Sequence, residues 1–250
     1  MDVVSRSHRG PDPEDAKLFG PHTWADLRKA TSDLCWLLDR GYAIRSAVEL
    51  VGNRYSLARR QRLAVSRCAC STGALQRRQC HRVQPQALGG QELWLDGFNV
   101  LIAVEAALGG GVVLHGCDDC YRDLANIYAR YREVEETRTA LRLIGDLAAG
   151  WGVRECHWLL DRPVSNSGRF QRVILETAIP ASWPWQVELV FNPDKVLAES
   201  EQIVATSDSV ILDRCNRWIN LARLVIDGSV PNANVVDLRP SSNAQAEGLG

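Results

Sequence analysis

Lysine and methionine are almost missing from this chain of 250 residues: Lys17, Lys29 and Lys195 are the only lysines, and there is one methionine. Its positive charge is therefore carried by arginine, whose planar guanidinium suits bidentate phosphate contacts better than an ammonium does. Long apolar runs are also missing. Nothing approaches the roughly 18 consecutive apolar residues of a membrane span, which argues against a membrane partner. The opening residues, MDVVSRSHRGPDPEDAK, lack the continuous apolar stretch of a secretory signal. The expectation is a cytoplasmic protein, whose eight cysteines stay mostly as thiols. No Walker-type or GxGxxG loop is present, and no Ser-His-Asp or Cys-His set stands out. An aspartyl-phosphate chemistry is disfavoured as well, because it needs a second Asp two residues after the first. Asp96 is followed by Gly97-Phe98 and Asp161 by Arg162-Pro163.

What is there divides unevenly. The formal net charge is −1, yet residues 1–88 hold 15 Arg/Lys against 8 Asp/Glu, and the remainder 14 against 22. A basic first third and an acidic remainder point to two functional parts. Residues 1–22 are polar, carry Pro11, Pro13 and Pro21, and read as a flexible leader. Residues 240–250 form a Ser/Asn/Gly-rich tail read as disordered.

From 23 to 82 the pattern is helical. Leu27, Leu34, Leu37 and Leu38 make one stripe of an amphipathic helix, which Gly41 stops. A second helix is expected over Ile44–Val51. Ser56 is positioned to cap a third, Leu57–Cys68. Ten arginines and one acid, Glu49, lie between Arg40 and Arg82. The arrangement is similar to a helix-turn-helix. Arg59, Arg60 and Arg62 on the third helix are either the solvated face of a small bundle or a surface for a phosphate backbone.

Residues 83–92 read as a linker, and a new periodicity begins at 93 and runs to 239. The expected strands are Leu93–Asp96, Val112–His115, Cys156–Leu160, Val187–Phe191 and Ile203–Thr206. Helices are expected between them, at Val100–Leu108, Tyr121–Tyr131, Glu135–Ala149 and from Val210 to Cys215, with a continuation to Val225 left open. This alternation predicts an α/β fold with a mostly parallel sheet and helices on both faces, preceded by the small all-α domain.

Three of those strands, within LWLD, HWLLD and IVATSD, lead straight into an aspartate: Asp96, Asp161 and Asp208. Ligands of an open parallel sheet bind outside the carboxyl ends of its strands. Any one of the three could simply cap the next helix, but three together form a set of like charges that needs a cation. Oxygen ligands favour Mg²⁺ or Mn²⁺. Asn99 follows Asp96 closely enough to turn toward the same crevice. Ser165, Asn166 and Ser167 follow Asp161 at a helix start, where they could hold a phosphate or where Ser167 could merely cap the helix. Cys68, Cys70, Cys80 and His81 could in principle bind zinc, as could the pair Cys117 and Cys120, but their spacing is irregular.

LWLDGFNVLI resembles the opening strand of PIN-like and NYN-type nuclease domains, which ends in Asp-Gly-x-Asn. IVATSDSVI is similar to their later Thr-Ser-Asp strand, and HWLLD fits the strand between. The resemblance covers roughly residues 92–226. The whole chain, including SAVELVGNRYSLARRQRLAVSR, also resembles an uncharacterised archaeal and bacterial family with a helical domain before the α/β domain. The PIN-like resemblance implies a metal-dependent nuclease, usually acting on RNA rather than DNA, with one or two Mg²⁺ or Mn²⁺ ions. It would make Asp96 and Asp208 metal ligands, with Asp161 and Asn99 among the metal's ligands or close beside them. Ser207 lies inside the Thr-Ser-Asp motif and is a substrate-binding candidate. For a fourth acid it leaves Asp118, Asp119 and Asp123, of which Asp123 is best placed if Tyr121 begins a helix. Arg122 would contact substrate or pair with one of those acids. Some PIN-like domains have lost catalytic acids and only bind, so an inactive RNA- or DNA-binding protein is the alternative. Self-association into a homo-oligomer is left open.

Overall fold

A computed structural model describes residues 8–124 and 131–240. The elements in chain order are α1 (Asp15–Leu18), α2 (Trp24–Asp39), α3 (Ile44–Arg54), α4 (Arg59–Cys68), α5 (Thr72–His81), β1 (Glu92–Asp96), α6 (Gly97–Leu108), β2 (Val113–His115), β3 (Tyr121–Asp123) and α7 (Thr137–Gly150). They continue with β4 (Glu155–Asp161), α8 (Ser167–Ala178), β5 (Trp185–Val190), α9 (Pro193–Ala198), β6 (Ile203–Ala205), α10 (Ser209–Leu212), β7 (Trp218–Ile219), α11 (Leu221–Ser229) and β8 (Val235–Asp237).

The chain forms two compact units, each drawn from separate stretches of sequence. Of the described residues, the α/β unit takes 8–10, 81–111 and 131–233; the helical unit takes 11–80, 112–124 and 234–240. The expected single crossing at 83–92 therefore differs from what is seen: β2, β3 and β8 leave the 93–239 stretch and join the helices.

In the α/β unit a five-stranded sheet has the order β5-β4-β1-β6-β7, and every pairing within it is parallel. Leu93, Leu95, Trp158, Leu160, Ile203 and Val204 are fully buried in it, as expected of strands covered by helices. Helix α6 is buried along nearly its whole length and packs against α7, α11, β1 and β4. That is why its sequence is apolar all round rather than on one stripe. Chain order runs from β1 outward through β4 to β5, then returns to β6 on the other side of β1. The reversal of direction at β1 and β6 is where such sheets open a crevice at their carboxyl ends.

In the helical unit the expected stripe of α2 supplies Leu27, Leu34 and Leu37 to a core shared with Ala47, Val51, Ala64 and Val65. Val112, Leu114, Leu124, Val236 and Leu238 complete that core from the sheet β3-β2-β8, in which β2 runs antiparallel to β3 and parallel to β8. Arginines fasten the sheet edges to the helices. Arg28 donates to the Asp237 carbonyl at 2.8 Å and Arg67 to the Asp123 carbonyl at 2.5 Å.

Several local expectations are corrected. Tyr121–Asp123 is strand rather than the start of a helix; residues 125–130 of that expected helix lie outside the described residues. Ser56 does not cap α4: it adopts left-handed backbone, φ 49°, and the helix begins at Arg59, where the Gln61 side chain accepts from the Ala58 N–H at 3.0 Å. The expected helix after Asp208 is interrupted by β7, and only α10 and α11 are helical. The leader differs too, from residue 8 on. Asp15, Leu18 and Phe19 are buried, and Arg9 forms an ion pair with the fully buried Glu105 at 2.7 Å. Apart from Pro240, the expected tail lies outside the described residues.

Candidate functional site

The sequence from Leu93 to Asn99 changes from strand to helix without a loop: Asp96 ends β1 and Gly97 begins α6. That tight junction needs glycine. A Cβ at Gly97 would sit 2.6 Å from Leu160 Cδ2 and 2.9 Å from the Leu159 carbonyl oxygen of β4. With α6 pressed onto β4, the Asp96 carboxylate is 9 % exposed. It accepts from the Thr206 hydroxyl at 2.8 Å and from the Asn99 backbone N–H.

The Thr206-Ser207-Asp208 segment is held to the same junction. Asn99 Oδ1 accepts from both the Ser207 N–H, 2.8 Å, and the Ser207 hydroxyl, 3.0 Å. The Asp208 N–H donates to Thr206 Oγ1 at 3.0 Å. One oxygen of Asp208, Oδ1, caps α10 by accepting from the Val210 N–H at 2.7 Å. The capping role and a place at the crevice coexist, because the second oxygen of Asp208 has no hydrogen bond among the described residues.

Asp161 ends β4, beside β1 in the sheet. A fourth carboxylate comes from a residue that the sequence analysis did not select. Asp194 stands at the start of α9, after Asn192, whose side chain accepts from the Lys195 N–H at 3.1 Å, and Pro193 at the first helical position. Asn-Pro-Asp following an apolar strand is a helix-start signature and was the available signal. It puts an acid one turn beyond the end of β5, at the carboxyl side of the sheet.

Two of these carboxylates, Asp96 and Asp194, feel the charge of the others. Burial pushes the Asp96 carboxyl up to about 7, with Asp208 and Asp194 adding to the rise. Burial also raises Asp194, and Asp208 and Asp161 raise it further. Asp161 is raised by burial. Among the described residues none of the four forms an ion pair with an arginine, lysine or histidine. They are spread rather than closed: no three of their oxygens lie within 4.8 Å of one another. The one group among the described residues that does meet that spacing is Glu92, Glu155 and His157, which could hold a metal ion. Glu92 and Glu155 are register partners on β1 and β4, at the opposite, amino end of the sheet. His157 Nε2 lies 3.0 Å from Glu155 and 3.6 Å from Glu92. Arg154 is already paired with Glu92 and Gln186 with Glu155, so this group also reads as a satisfied surface network.

The remaining expected residues fall as follows. Ser165 is exposed, while Ser167 is buried and its hydroxyl donates to the Arg162 carbonyl at 3.4 Å, closing the β4–α8 loop. Asp123 and Arg122 belong to the helical unit and not to the unit that holds Asp96. Asp123 faces Arg67 at 3.7 Å. Arg122 is buried and makes a two-pronged pair with Asp118, 2.8 and 2.6 Å; Arg78 joins it at 2.5 Å. Arg60 is occupied by buried Asp15, 2.8 and 3.2 Å, and Arg62 by Asn53 Oδ1 and the Leu57 carbonyl, both 2.9 Å. Arg59 is exposed and without a polar partner among the described residues. The expected zinc set does not assemble. Cys80 is exposed, His81 Nδ1 is 2.9 Å from the Cys215 carbonyl, and burial pushes the Cys68 and Cys70 thiols up to about 12.

No solved structure matches the chain. An uncharacterized protein of Methanocaldococcus jannaschii is 32 % identical over 186 residues, which span 74 % of this chain and 88 % of that protein. Residues 26–80 match a family described as a protein of unknown function, DUF434, and neither that description nor the one matched by the α/β stretch names a nuclease. Over residues 85–224, which include Asp96, Asp161, Asp194 and Asp208, the chain belongs to the family described as a domain of unknown function, DUF5616.

Proposed function

We propose that the protein is a metal-dependent nuclease, with RNA as its substrate, and that Asp96, Asp161, Asp194 and Asp208 hold Mg²⁺ or Mn²⁺ at the carboxyl ends of β1, β4, β5 and β6. One observation carries this reading. Four acids lie at the carboxyl side of one sheet, one of them buried and two of them raised by the charge of their neighbours, without a cationic partner among the described residues. Such an arrangement is costly unless a cation shares the site. The donor set fits a hard divalent ion, which prefers carboxylate oxygens and water. When bound, the ion would lower the pKa of a water molecule and offset charge developing on a phosphate.

The chain's own residues supply the positions. Thr206 and the Asn99 N–H orient the Asp96 carboxylate, and the Asn99 side chain fixes the segment carrying Asp208. Asn99 is thus a positioning residue rather than a ligand. The likeness of LWLDGFNVLI and IVATSDSVI to PIN-like domains supports the same chemistry. RNA as partner is supported by exposed arginines of the helical unit. Arg45, Arg59 and Arg77 make no polar contact among the described residues and are open to phosphates.

Purified protein incubated with single-stranded and with structured RNA should cleave in Mg²⁺ or Mn²⁺ and not in EDTA. Asp96→Asn and Asp208→Asn should each lower the rate about 100-fold or more, since even residues that only support metal ligands cost 10–100-fold. Cleavage by both variants at the parental rate rules the assignment out. Salt-sensitive RNA affinity with no cleavage under either metal would favour the inactive binding protein.

A further inference from the structure

We propose that Cys35 and Cys117 of the helical unit are a redox pair that closes to a reversible disulfide. Cys35 lies on α2 and Cys117 in the turn between β2 and β3, 82 positions apart, with their Sγ atoms 3.6 Å from each other. Both are partly exposed, so a small oxidant can reach them. A disulfide needs the sulfurs about 1.5 Å closer, a movement within the range of side-chain rotation.

The turn is built to hold Cys117 in place. Its N–H donates to the Cys68 carbonyl at 2.8 Å, and the Gly116 N–H donates to the Cys120 carbonyl at 3.0 Å. Asp118 next to it is clamped by Arg78 and Arg122. The two thiols share a hydrogen bond that either sulfur can donate. That bond, helped by one from the Cys70 backbone N–H, draws one thiol of the pair, Cys35, toward the reactive thiolate form. Cys68 and Cys70 lie beside the pair but are buried as neutral thiols, which leaves them as bystanders.

The oxidant is a low-molecular-weight disulfide. One thiolate of the pair attacks one of its sulfurs, forming a mixed disulfide and releasing one thiolate. The other cysteine then loses its proton to solvent and attacks the Sγ of the first, releasing the second thiolate. Two protein thiols are oxidised, one small disulfide is reduced to two thiols, and the released protons balance the two thiolates.

The test treats the reduced full-length chain with oxidised glutathione, followed by peptide mapping without reduction. The expected product joins the Cys35 and Cys117 peptides, reverts with dithiothreitol, and melts at a higher temperature than the reduced chain because a long loop has been closed. Cys117→Ser and Cys35→Ser should each abolish the internal link and the melting shift. The proposal is overturned if Cys35 joins Cys68 or Cys70, if glutathione accumulates on Cys80 with no internal link, or if the folded parent forms no disulfide. Should either serine variant fail to fold, the peptide map and melting shift of the parent decide alone.

Discussion

Asp96 couples stability to pH. Its carboxyl is raised from 3.8 to about 7 in the folded chain, so between those values the native state keeps a proton that the unfolded state has released. Stability then falls as pH rises through that window and is lowest above it. The penalty is on the order of 4 kcal/mol. Asp96→Asn should flatten this dependence and melt above the parent at pH 8 in EDTA, with little difference at pH 4. Differential scanning calorimetry at the two pH values checks it, and a parent whose stability rises between pH 4 and 7 through this residue would contradict it. Gly97, next in the chain, has no room for a methyl group. Gly97→Ala should cost about 1–3 kcal/mol, measured by urea unfolding. Asp96 was legible from the sequence because it ends a short apolar strand. Asp194 was not, because it sits in the first turn of a helix rather than at the end of a strand. Only the folded position of α9 gives it neighbours in Asp161 and Asp208.

The elements carry the site through their junctions. Asn99 links α6 to the segment after β6 by accepting twice from Ser207. Asn99→Ala should cost about 1–3 kcal/mol, because it leaves those donors without their acceptor, and should weaken Mn²⁺ affinity 10–100-fold if the segment supports a ligand. Equal affinity in parent and variant would detach Asn99 from the site. Strands β1, β4 and β6 were readable as apolar runs with a terminal acid. Strand β3 was not, since Tyr121-Arg122-Asp123 has a charged residue at its centre, and Arg122 is tolerated there only because Asp118 pairs with it. Likewise the arginines of α4 looked uniform in sequence. Burial of Asp15 separates them: Arg60 is committed to that carboxylate, while Arg59 is not. Arg60→Ala should therefore destabilise the chain by about 3 kcal/mol or more, and Arg59→Ala by less than about 0.5 kcal/mol.

At the scale of the whole molecule, local periodicity identified an α/β part and a helical part but could not give their composition. The pairing of β2 with β8 joins Val113 to Val235, a match between distant stretches that no local pattern encodes. The charge asymmetry was legible and has a consequence for the whole chain. RNA affinity should fall steeply with salt, and replacing Arg45, Arg59 and Arg77 by alanine should weaken it and reduce the slope while leaving the melting temperature close to the parental value. Among the described residues no helix is long and apolar enough to cross a membrane.

A cation among the four aspartates is the central proposal, and calorimetric titration of Mn²⁺ at pH 8 tests for it directly. It compares the parent with Asp96→Asn/Asp208→Asn and with Glu92→Gln/His157→Ala. Binding that survives in the second double variant and disappears in the first is the predicted result. Parental binding in the Asp96→Asn/Asp208→Asn chain, or loss only when Glu92 and His157 are replaced, would move the metal to the other end of the sheet and contradict the account.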